Sequence, residues 1–344
     1  MRFFKYWNIK FIHMKIYKDV FAKITDAENL FDSWQEFRKG KTKRSDVMAF
    51  EFSLERNIFD LRDELKSKKY KHSPYSSFFI QDPKQRNIHK ARVRDRLIHH
   101  AIFAVLNPIF EAAFIPNSFS CQKGKGTHKG VEALKNILRK ASKNNTKPCF
   151  VLKCDVKQFF HTVDHDILIS IIGQRIKDAD AMWLIREVVE SFPNGVPIGN
   201  LTSQLFANIY LNELDYFVKH KLKVPFYVRY TDDFVLVSDS PEKLLTWLEW
   251  IKLFLRERLN LNLHPHKVSL RKYHQGIDFL GYVQFPKFRI LRNKTKQRIL
   301  NKSVKGINEQ SLNSYLGVLS HCNAHDFGES LKNEFWLQNE VVKN

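Results

Sequence analysis

The sequence predicts a mixed α+β fold in which antiparallel strands carry carboxylates. Residues 26–70 have the spacing of amphipathic helices, and two strand-like segments, 149–156 and 225–238, bracket a helical middle. The second of these segments contains an Asp-Asp pair where a hairpin would turn. At 344 residues with 43% hydrophobic side chains, the chain can bury a continuous core, which excludes a disordered protein.

The predicted elements follow one another along the chain. Within the first helical region, two amphipathic stretches flank the basic segment RKGKTKR, residues 38–44. Residues 75–100 change to strand-like spacing, with prolines as punctuation. Further helices are predicted over about 95–105 and about 130–143. The strands that end in aspartate come after these helices.

The charge of the chain is its strongest bulk property. The formal net charge is +21, and the isoelectric point is near 9.7. Basic residues concentrate in 38–44, in 86–96, and between Asp278 and Glu309, where eight basic residues stand without an acidic one. Lysine and arginine release counterions from a phosphate backbone, so we expect a positively lined groove for nucleic acid.

Targeting signals and cysteine motifs are missing from the sequence. No apolar run approaches the ~18 residues of a membrane span, and lysines interrupt the aromatic N-terminus where a signal-peptide core would lie. The four cysteines show no CxxC spacing, which supports neither a zinc site nor a disulfide framework. We therefore expect a reduced, cytoplasmic protein with no membrane partner.

The stretch FYVRYTDDFVLVSDS places Asp232 beside Asp233 in a run with strand spacing. Successive side chains on a strand point to opposite faces, so one carboxylate would be buried, which costs several kcal/mol when it is unpaired. A two-residue turn at Thr231-Asp232 would place both aspartates at the bend of a hairpin instead. They then need a counter-charge.

Asp155 ends the apolar strand CFVLKC in the way that Asp232 ends FYVRYT. Carboxylate oxygens are the ligands that Mg²⁺ prefers, and the ion keeps positions open for substrate phosphates. Two such strand ends can hold two ions about 3.5–4 Å apart for in-line phosphoryl transfer. Taken singly, Asp155 is explained as well by an unrelated turn, so its surroundings decide.

Those surroundings resemble the reverse transcriptases. YTDD resembles their Y-x-D-D box, with threonine unusual at its second position, and DVKQFFHTVDHDIL resembles their first aspartate motif. VPIGNLTSQLFANIYLNELD is similar to the glycine-plus-helix motif under the template strand, and KQRNIHKARVRDR resembles the fingers segment. LNLHPHKVSL and IDFLGY resemble the lysine motif and the primer grip. The set keeps the family's order over roughly residues 45–325.

Within this superfamily, the motifs are most similar to the reverse transcriptases of diversity-generating retroelements. IGNLTSQ stands where group II intron enzymes carry Q-G and S-P, and KGKGTH and SYLGVLSHCNAHDF agree with this type. Related anti-phage defence enzymes share most of these motifs. The alternative is therefore a defence-associated, antiviral reverse transcriptase with a noncoding RNA partner.

The resemblance implies a right-hand polymerase. An N-terminal extension and the fingers would occupy residues 1–148. A palm with an antiparallel sheet would occupy 149–285, with a helical fingers-side segment at about 162–192, and a short helical thumb 286–344. No room then remains after about residue 325 for an RNase H, endonuclease or maturase domain.

The resemblance also implies a metal centre. Asp155 and Asp232 would be the principal ligands of two Mg²⁺ ions, for which Mn²⁺ can substitute. The carbonyl of Val156 would assist, and Asp233 would be a supporting carboxylate. The reaction implied is nucleotidyl transfer by an RNA-directed DNA polymerase, with template RNA, cDNA or primer, and dNTPs as partners.

Five residues match positions that contact the incoming nucleotide in the family. Lys84 and Arg86 would grip the triphosphate, although a solvated basic strand explains them too. Phe160 would exclude a 2′-OH, or it is one more core phenylalanine. Gln204 would contact nucleotide or template. Lys267 would donate a proton to pyrophosphate, or it is a surface lysine.

Five further residues match template and primer contacts. Gly199 would let backbone approach the template closely, although a turn glycine before a helix explains it equally. Ser203 would contact the template or simply initiate the helix. Phe279, Leu280 and Gly281 resemble the primer grip, for which a strand end is the plainer interpretation.

Two other patterns are interpreted as structural. His161 and His165 are four residues apart, but no HExxH motif accompanies them. The run KGKGTHKG lacks P-loop spacing and is interpreted as a basic loop near the template.

Two other function classes remain open from the residues alone. A metal-dependent nuclease could use the same three carboxylates and basic groove, but it needs neither a sugar-selecting ring nor a triphosphate clamp. A non-enzymatic RNA-binding scaffold would need no aspartates. The retroelement hypothesis adds a bacterial or phage origin and either a small basic accessory protein or a structured noncoding RNA as partner.

Overall fold

The computed structural model describes residues 15–81 and 85–341. The chain divides into two compact units. The first unit contains the described residues up to Ile80, with Arg86–Ala113 and Phe160–Tyr210; the second contains Gln81, Gln85, Phe114–Phe159 and the described residues from Leu211 onward. Lys84 lies outside the described residues, so its predicted triphosphate contact stays a prediction.

The helices follow apolar residues at helical spacing. In chain order they are α1 (Val20–Ile24), α2 (Ala27–Arg38), α3 (Ser45–Phe52), α4 (Leu54–Lys66), α5 (Val93–Glu111), α6 (Thr127–Ala141), α7 (Phe159–Thr162), α8 (His165–Arg175), α9 (Ala179–Glu190), α10 (Leu201–Tyr216), α11 (Pro241–Leu259), α12 (Asn293–Ser303), α13 (Glu309–Leu319) and α14 (His325–Val341). Among the described residues, none of these helices has the length and apolar character needed to cross a membrane.

The strands form three sheets. They are β1 (Ser76–Gln81), β2 (Gln85–Lys90), β3 (Phe150–Asp155), β4 (Phe226–Tyr230), β5 (Asp233–Ser238), β6 (Ser269–Lys272), β7 (Ile277–Phe279), β8 (Tyr282–Gln284) and β9 (Arg289–Leu291). Their orders are β1-β2, β4-β5-β3-β6 and β7-β8-β9, and the two larger sheets are antiparallel. The prediction of a mixed fold with antiparallel sheets is confirmed.

The first unit is built largely of packed helices. On α2, Leu30, Trp34 and Phe37 are buried at steps of four and three residues, and α2 packs on α5. The helices predicted in region 26–70 are present as α2, α3 and α4. Helix α5 is longer than the predicted 95–105, because Pro108 lies in its last turn and does not end it earlier.

The second unit is organised around the four-stranded sheet. Alternate strand residues such as Val151 and Val235 join a buried cluster with Leu134 of α6. Residues of opposite parity, such as Leu152, are also buried, and α11 contacts both β3 and β5. Because both faces are covered, β3, β4 and β5 are largely apolar, with Lys153 and Arg229 as exceptions and with Asp155 and Asp233 at strand ends.

Candidate active site

One end of the four-stranded sheet brings the three predicted catalytic aspartates together. Strand β3 pairs with β5 so that Asp155 lies directly opposite Asp233. Strands β4 and β5 are joined by the two residues Thr231 and Asp232, which confirms the predicted hairpin turn. The backbone N–H of Val156 donates to the carbonyl oxygen of Asp232 at 3.2 Å, which ties the turn to the end of β3.

Two lysines contact these carboxylates. Lys267 Nζ lies 2.7 Å from Asp155 Oδ1, so the residue of the predicted lysine motif is at the site. Lys153 Nζ lies 3.1 Å from Asp233 Oδ2 and donates to the carbonyl of Asp278 at 3.0 Å. Lys153 precedes Asp155 by two residues on β3, so both side chains project from the same face.

The environment of Asp233 disfavours its charged form. Burial, above all, raises the pKa of this carboxyl to about 6, and the carboxylates of Asp155 and Asp232 add to the rise while Lys153 opposes it. Its Oδ1 atom is buried and has no hydrogen-bond partner among the residues that the structure describes. A buried acceptor in this state is costly unless something supplies positive charge.

By their donor chemistry, the three carboxylates suit a divalent cation. Hard oxygen ligands, mutual repulsion and an unpartnered buried oxygen are the conditions under which a bound cation lowers the free energy most. Within the part of the chain that the structure describes, no three His, Cys, Asp or Glu side chains are already arranged as a metal site. Lys153 forms an ion pair with Asp233 and Lys267 with Asp155 instead.

A buried ion pair anchors the hairpin that carries Asp232 and Asp233. Arg229 and Asp215 are fully buried, and the guanidinium donates from Nε to Oδ1 at 2.7 Å and from Nη2 to Oδ2 at 2.6 Å. Tyr227 donates its hydroxyl to the same carboxylate at 2.8 Å. Burial alone lowers the pKa of Arg229, but the carboxylate of Asp215 outweighs it, and the pKa is raised.

The same arginine reaches the turn itself. Arg229 Nη1 donates to the carbonyl of Thr231 at 3.1 Å, and the Thr231 hydroxyl donates to Ser120 Oγ at 2.6 Å. Thr231 has a φ of 52°, which is uncommon for a β-branched residue. A positive φ at only the first turn residue is typical of a type II′ turn, which favours glycine there. The surrounding hydrogen bonds hold the turn in this conformation.

A second hairpin turn carries the predicted primer grip. Leu280 and Gly281, which join β7 to β8, both have positive φ, as a type I′ turn requires. They line a cleft of about 650 Å³ that Asp233 and Arg292 also line. Phe279 is buried. Primer contact at this turn stays a prediction.

A cleft of about 400 Å³ opens beside Asp155. Its basic lining residues include Lys153, Lys267, Arg271 and Lys294. A cationic wall next to the aspartates suits a polyphosphate, whose negative charge would otherwise be repelled by the carboxylates.

The residues predicted to contact the template lie in the first unit. Gly199 has a φ of 116°, and a Cβ atom there would lie 2.8 Å from Ile88 Cγ2, so backbone conformation and packing against β2 already favour glycine. Gln204 is exposed and lines a cleft of about 300 Å³ with Gly199, whereas Ser203 is buried on α10. Arg86 is exposed on β2. Their contacts with template or nucleotide stay predictions.

Phe160 differs from its neighbour Phe159. Phe159 is buried, whereas Phe160 is partly exposed, and its carbonyl accepts from Val196 N at 2.7 Å. Phe160 is therefore not a plain core side chain, and its role in sugar selection stays a prediction. His161 and His165 lie on separate helices, α7 and α8, and a ring nitrogen of His165 is 2.6 Å from the Gly195 carbonyl oxygen.

Sequence reasoning missed four residues that shape this site: Lys153, Arg229, Asp215 and Ser120. Arg229 carried a usable signal, since an arginine inside the apolar strand FYVRY needs a buried acceptor. Its spacing of two from Tyr227 puts both donors on one face. The acceptor, fourteen residues upstream of Arg229, was not identifiable from local pattern.

Comparisons with known proteins agree with this geometry. Residues 71–284 match the family model described as "Reverse transcriptase (RNA-dependent DNA polymerase)". The chain is similar to "Protein YkfC" of Escherichia coli (strain K12), at 25% identity over 280 residues that cover 69% of this chain and 71% of YkfC.

The chain is also similar to the "Group II intron-encoded protein LtrA" of Lactococcus lactis subsp. cremoris, at 25% identity over 333 residues. That alignment covers 73% of this chain but only 54% of LtrA, so the chain spans about half the length of that relative. The family match covers more than half of the chain and contains all three aspartates. The chain therefore belongs to the reverse transcriptase family of RNA-directed DNA polymerases.

Proposed function

We propose that this protein synthesises cDNA on an RNA template by nucleotidyl transfer at Asp155, Asp232 and Asp233. One observation carries the proposal: the β3–β5 register sets Asp155 against Asp233 at the end of the sheet, with Asp232 in the adjoining turn. Burial above all, with the neighbouring carboxylates adding to it, raises the pKa of Asp233, and this supports a cation-binding role for the same three residues.

Asp155 and Asp232 would hold two Mg²⁺ ions, with the Val156 carbonyl assisting and Asp233 supporting; Mn²⁺ would substitute. Bound ions of this kind supply Lewis-acid stabilisation of phosphoryl oxygens and a more acidic attacking hydroxyl. Lys267, now 2.7 Å from Asp155, would donate a proton to the pyrophosphate leaving group. Arg86 and Lys84 would bind the triphosphate, and Gln204 the nucleotide or template.

The test is primer extension on poly(rA) with oligo(dT). Asp232→Asn should reduce dTTP incorporation on the order of 10³-fold, because it removes a ligand worth several kcal/mol to the transition state. RNA binding should be kept, since the variant leaves the lysine and arginine side chains near Asp155 unchanged. Undiminished incorporation by Asp232→Asn would reject the metal-ligand role. If the wild-type protein nicks the RNA without incorporating dTTP, the result would favour the nuclease class.

Sugar selection provides a second test of the same function. Phe160→Ala should admit ribonucleotides into the product, because the ring no longer meets a 2′-OH. Incorporation of rUTP and dTTP would be compared on one template, with Phe159→Leu as the control for a neighbouring buried ring. If the ratio of the two rates stays that of the wild type, Phe160 does not select the sugar.

We propose the diversity-generating retroelement type for the biological role, since IGNLTSQ, KGKGTH and SYLGVLSHCNAHDF carry that likeness. A small basic accessory protein and a template RNA would then be partners, in a bacterial or phage-encoded system acting in the cytoplasm. The layout of fingers (1–148), palm (149–285) and thumb (286–344) belongs to the same proposal. Neighbouring genes decide it: paired variable and template repeats indicate diversification, and a lone noncoding RNA indicates defence.

A further inference from the structure

The second unit contains a cleft of about 870 Å³. It is larger than the two clefts that Asp155 and Asp233 line. Its walls are the tip of the β8–β9 hairpin, the connection between α13 and α14, the start of α12 and one residue of α6. None of the residues assigned above to metal, nucleotide, template or primer lines it. Its volume is near the upper end of the roughly 300–1,000 Å³ range of ligand sites.

The charge of this cleft is positive. Lys135, Lys287, Arg289 and Lys296 line it, against the single acidic residue Asp326. Lys287 and Lys296 are exposed, and neither has an acidic partner among the described residues. Lys296 Nζ lies over the Phe327 ring instead, 5.2 Å from its centroid. Two ammonium groups that line one cleft without acidic partners among the described residues favour an anionic occupant.

The cleft also presents an aromatic platform. Phe285 and Phe288 flank the two-residue tip of the hairpin, and their rings are stacked, with centroids 4.8 Å apart and planes at 25°. Phe288 is 45% exposed and lines the cleft. An exposed, stacked ring that shares a cleft with exposed lysines is the pattern with which proteins bind unpaired bases and their phosphates together.

Arg289 holds the platform in place, and its own charge is paired with Glu132. Its Nη2 donates to Glu132 Oε2 at 3.0 Å, its Nη1 to the His321 carbonyl at 3.0 Å, and its Nε to Gln284 Oε1 at 2.9 Å. These bonds join the hairpin, α6 and the α13–α14 connection. The cleft is therefore organised before any ligand arrives, which reduces the entropy lost on binding.

From this combination we infer that the cleft is a second nucleic-acid site, which binds a single-stranded segment through stacking on Phe288 and phosphate contacts with Lys287 and Lys296. An acidic peptide could satisfy the lysines but would leave the ring unused. A basic protein partner would meet charge of its own sign. Single-stranded RNA and DNA share the chemistry that this surface recognises, so the experiment compares both.

The experiment measures binding of labelled oligouridylate and oligothymidylate to the full chain by fluorescence anisotropy. The test variant combines Lys287→Ala, Phe288→Ala and Lys296→Ala. Its matched control combines Phe52→Ala, Lys66→Ala and Lys69→Ala, which removes the same groups at exposed positions of the first unit. A saturating unlabelled primer–template duplex is present, so that binding in the polymerase groove does not contribute.

We expect the test variant to lose at least about fivefold in affinity for one or both oligonucleotides, as loss of one stacked base contact would produce. The slope of log Kd against log salt should fall by about 0.7 for each lysine removed. The control variant and Phe288→Trp should bind like the wild type. The oligonucleotide that loses more affinity, oligouridylate or oligothymidylate, identifies the bound strand as RNA or DNA.

Equal affinities of the wild type and the test variant would overturn the inference. So would displacement of the oligonucleotide by polyglutamate at equal charge concentration, because that result describes a patch for any polyanion. Extension of a short annealed primer–template should be unchanged in the test variant, and Asp232→Asn should leave oligonucleotide binding unchanged. Failure of this site and failure of the polymerase assignment are therefore distinguishable.

Discussion

Asp215 is fully buried and the side chain of Asp233 is 20% exposed in the second unit, and their surroundings compensate them very differently. Asp215 is fully buried and accepts three hydrogen bonds from Arg229 and Tyr227. Asp233 has one ammonium at 3.1 Å, one buried oxygen without a partner, and two further aspartates close by. The first carboxylate is satisfied by the fold, and the second is not.

The contrast separates a structural carboxylate from one with the features of a functional site. A buried charge with both of its oxygens hydrogen-bonded fixes the geometry around it, and here it holds the Thr231 carbonyl through the shared arginine. A crowded carboxylate with a raised pKa is a cost that the fold retains, which is typical of a site that binds a cation. Both carboxylates act on the β4–β5 hairpin: Asp233 begins β5, and Asp215 accepts from Tyr227 and Arg229 of β4.

The largest expected effect comes from breaking the satisfied pair. Arg229→Met should lower the free energy of unfolding by about 3–5 kcal/mol, because it leaves the Asp215 carboxylate buried without its main partner. Urea unfolding followed by circular dichroism would measure it. Activity should fall as well, since the Thr231 carbonyl loses its donor.

Two further variants sharpen this prediction. The double replacement Arg229→Met with Asp215→Leu should recover most of the lost stability, because no unpaired charge then remains. Lys243→Ala, which breaks an exposed ion pair with Asp239, should leave the unfolding curve unchanged. A double variant as unstable as Arg229→Met would show that the ion pair is not the source of the effect.

The next effect has the opposite sign. Asp233→Asn should raise the free energy of unfolding on the order of 1–3 kcal/mol at pH 7 in metal-free buffer, because it removes a desolvated and crowded charge. Incorporation of dNTPs should fall in the same variant. A stabilising substitution that impairs activity is what an under-compensated catalytic carboxylate predicts.

The pH dependence of that difference tests its cause. The folded pKa of Asp233, about 6, lies above the ordinary 3.8 of an unfolded chain, so the folded state binds more protons between these values. Its contribution to stability is therefore present at low pH and is lost as the pH rises through about 6. The stability gap between Asp233→Asn and the wild type should close as the pH falls from about 7 to about 4.

Other groups titrate in the same range, so only the difference between the two proteins is informative. Burial lowers the pKa of His100 to about 4, with Lys41 adding to it, which destabilises the folded chain as the pH falls below the ordinary histidine value. This loss is common to the wild type and the variant. A gap that is constant with pH would mean that the Asp233 charge is not what the variant relieves.

The smallest expected effect concerns the turn. Thr231→Val keeps the branched shape but loses the hydroxyl bond to Ser120 Oγ, and should cost about 1 kcal/mol of unfolding free energy. Thr231→Gly should cost less, because relief of the positive φ offsets the lost hydrogen bond. Thermal unfolding of both variants would rank them, and a glycine variant less stable than the valine variant would contradict the assignment of strain.

Local pattern was sufficient for much of this protein. The amphipathic helices of region 26–70, the strands on either side of Thr231-Asp232 and the turn between them follow from residue spacing, because helical and strand periodicity act over a few residues. Helix α5 ran past its predicted end, since its last turn tolerates Pro108. The cationic character was also plain from composition.

What the sequence determined by itself is which residues carry the charge and where the chain turns. Only the tertiary structure decided that Asp155 faces Asp233, that Lys153 and Lys267 hold the carboxylates, and that Arg229 finds Asp215. It also decided that Phe288, Lys287 and Lys296 share one cleft. These contacts join residues distant in sequence, and their free energy depends on desolvation and register, which no local spacing encodes.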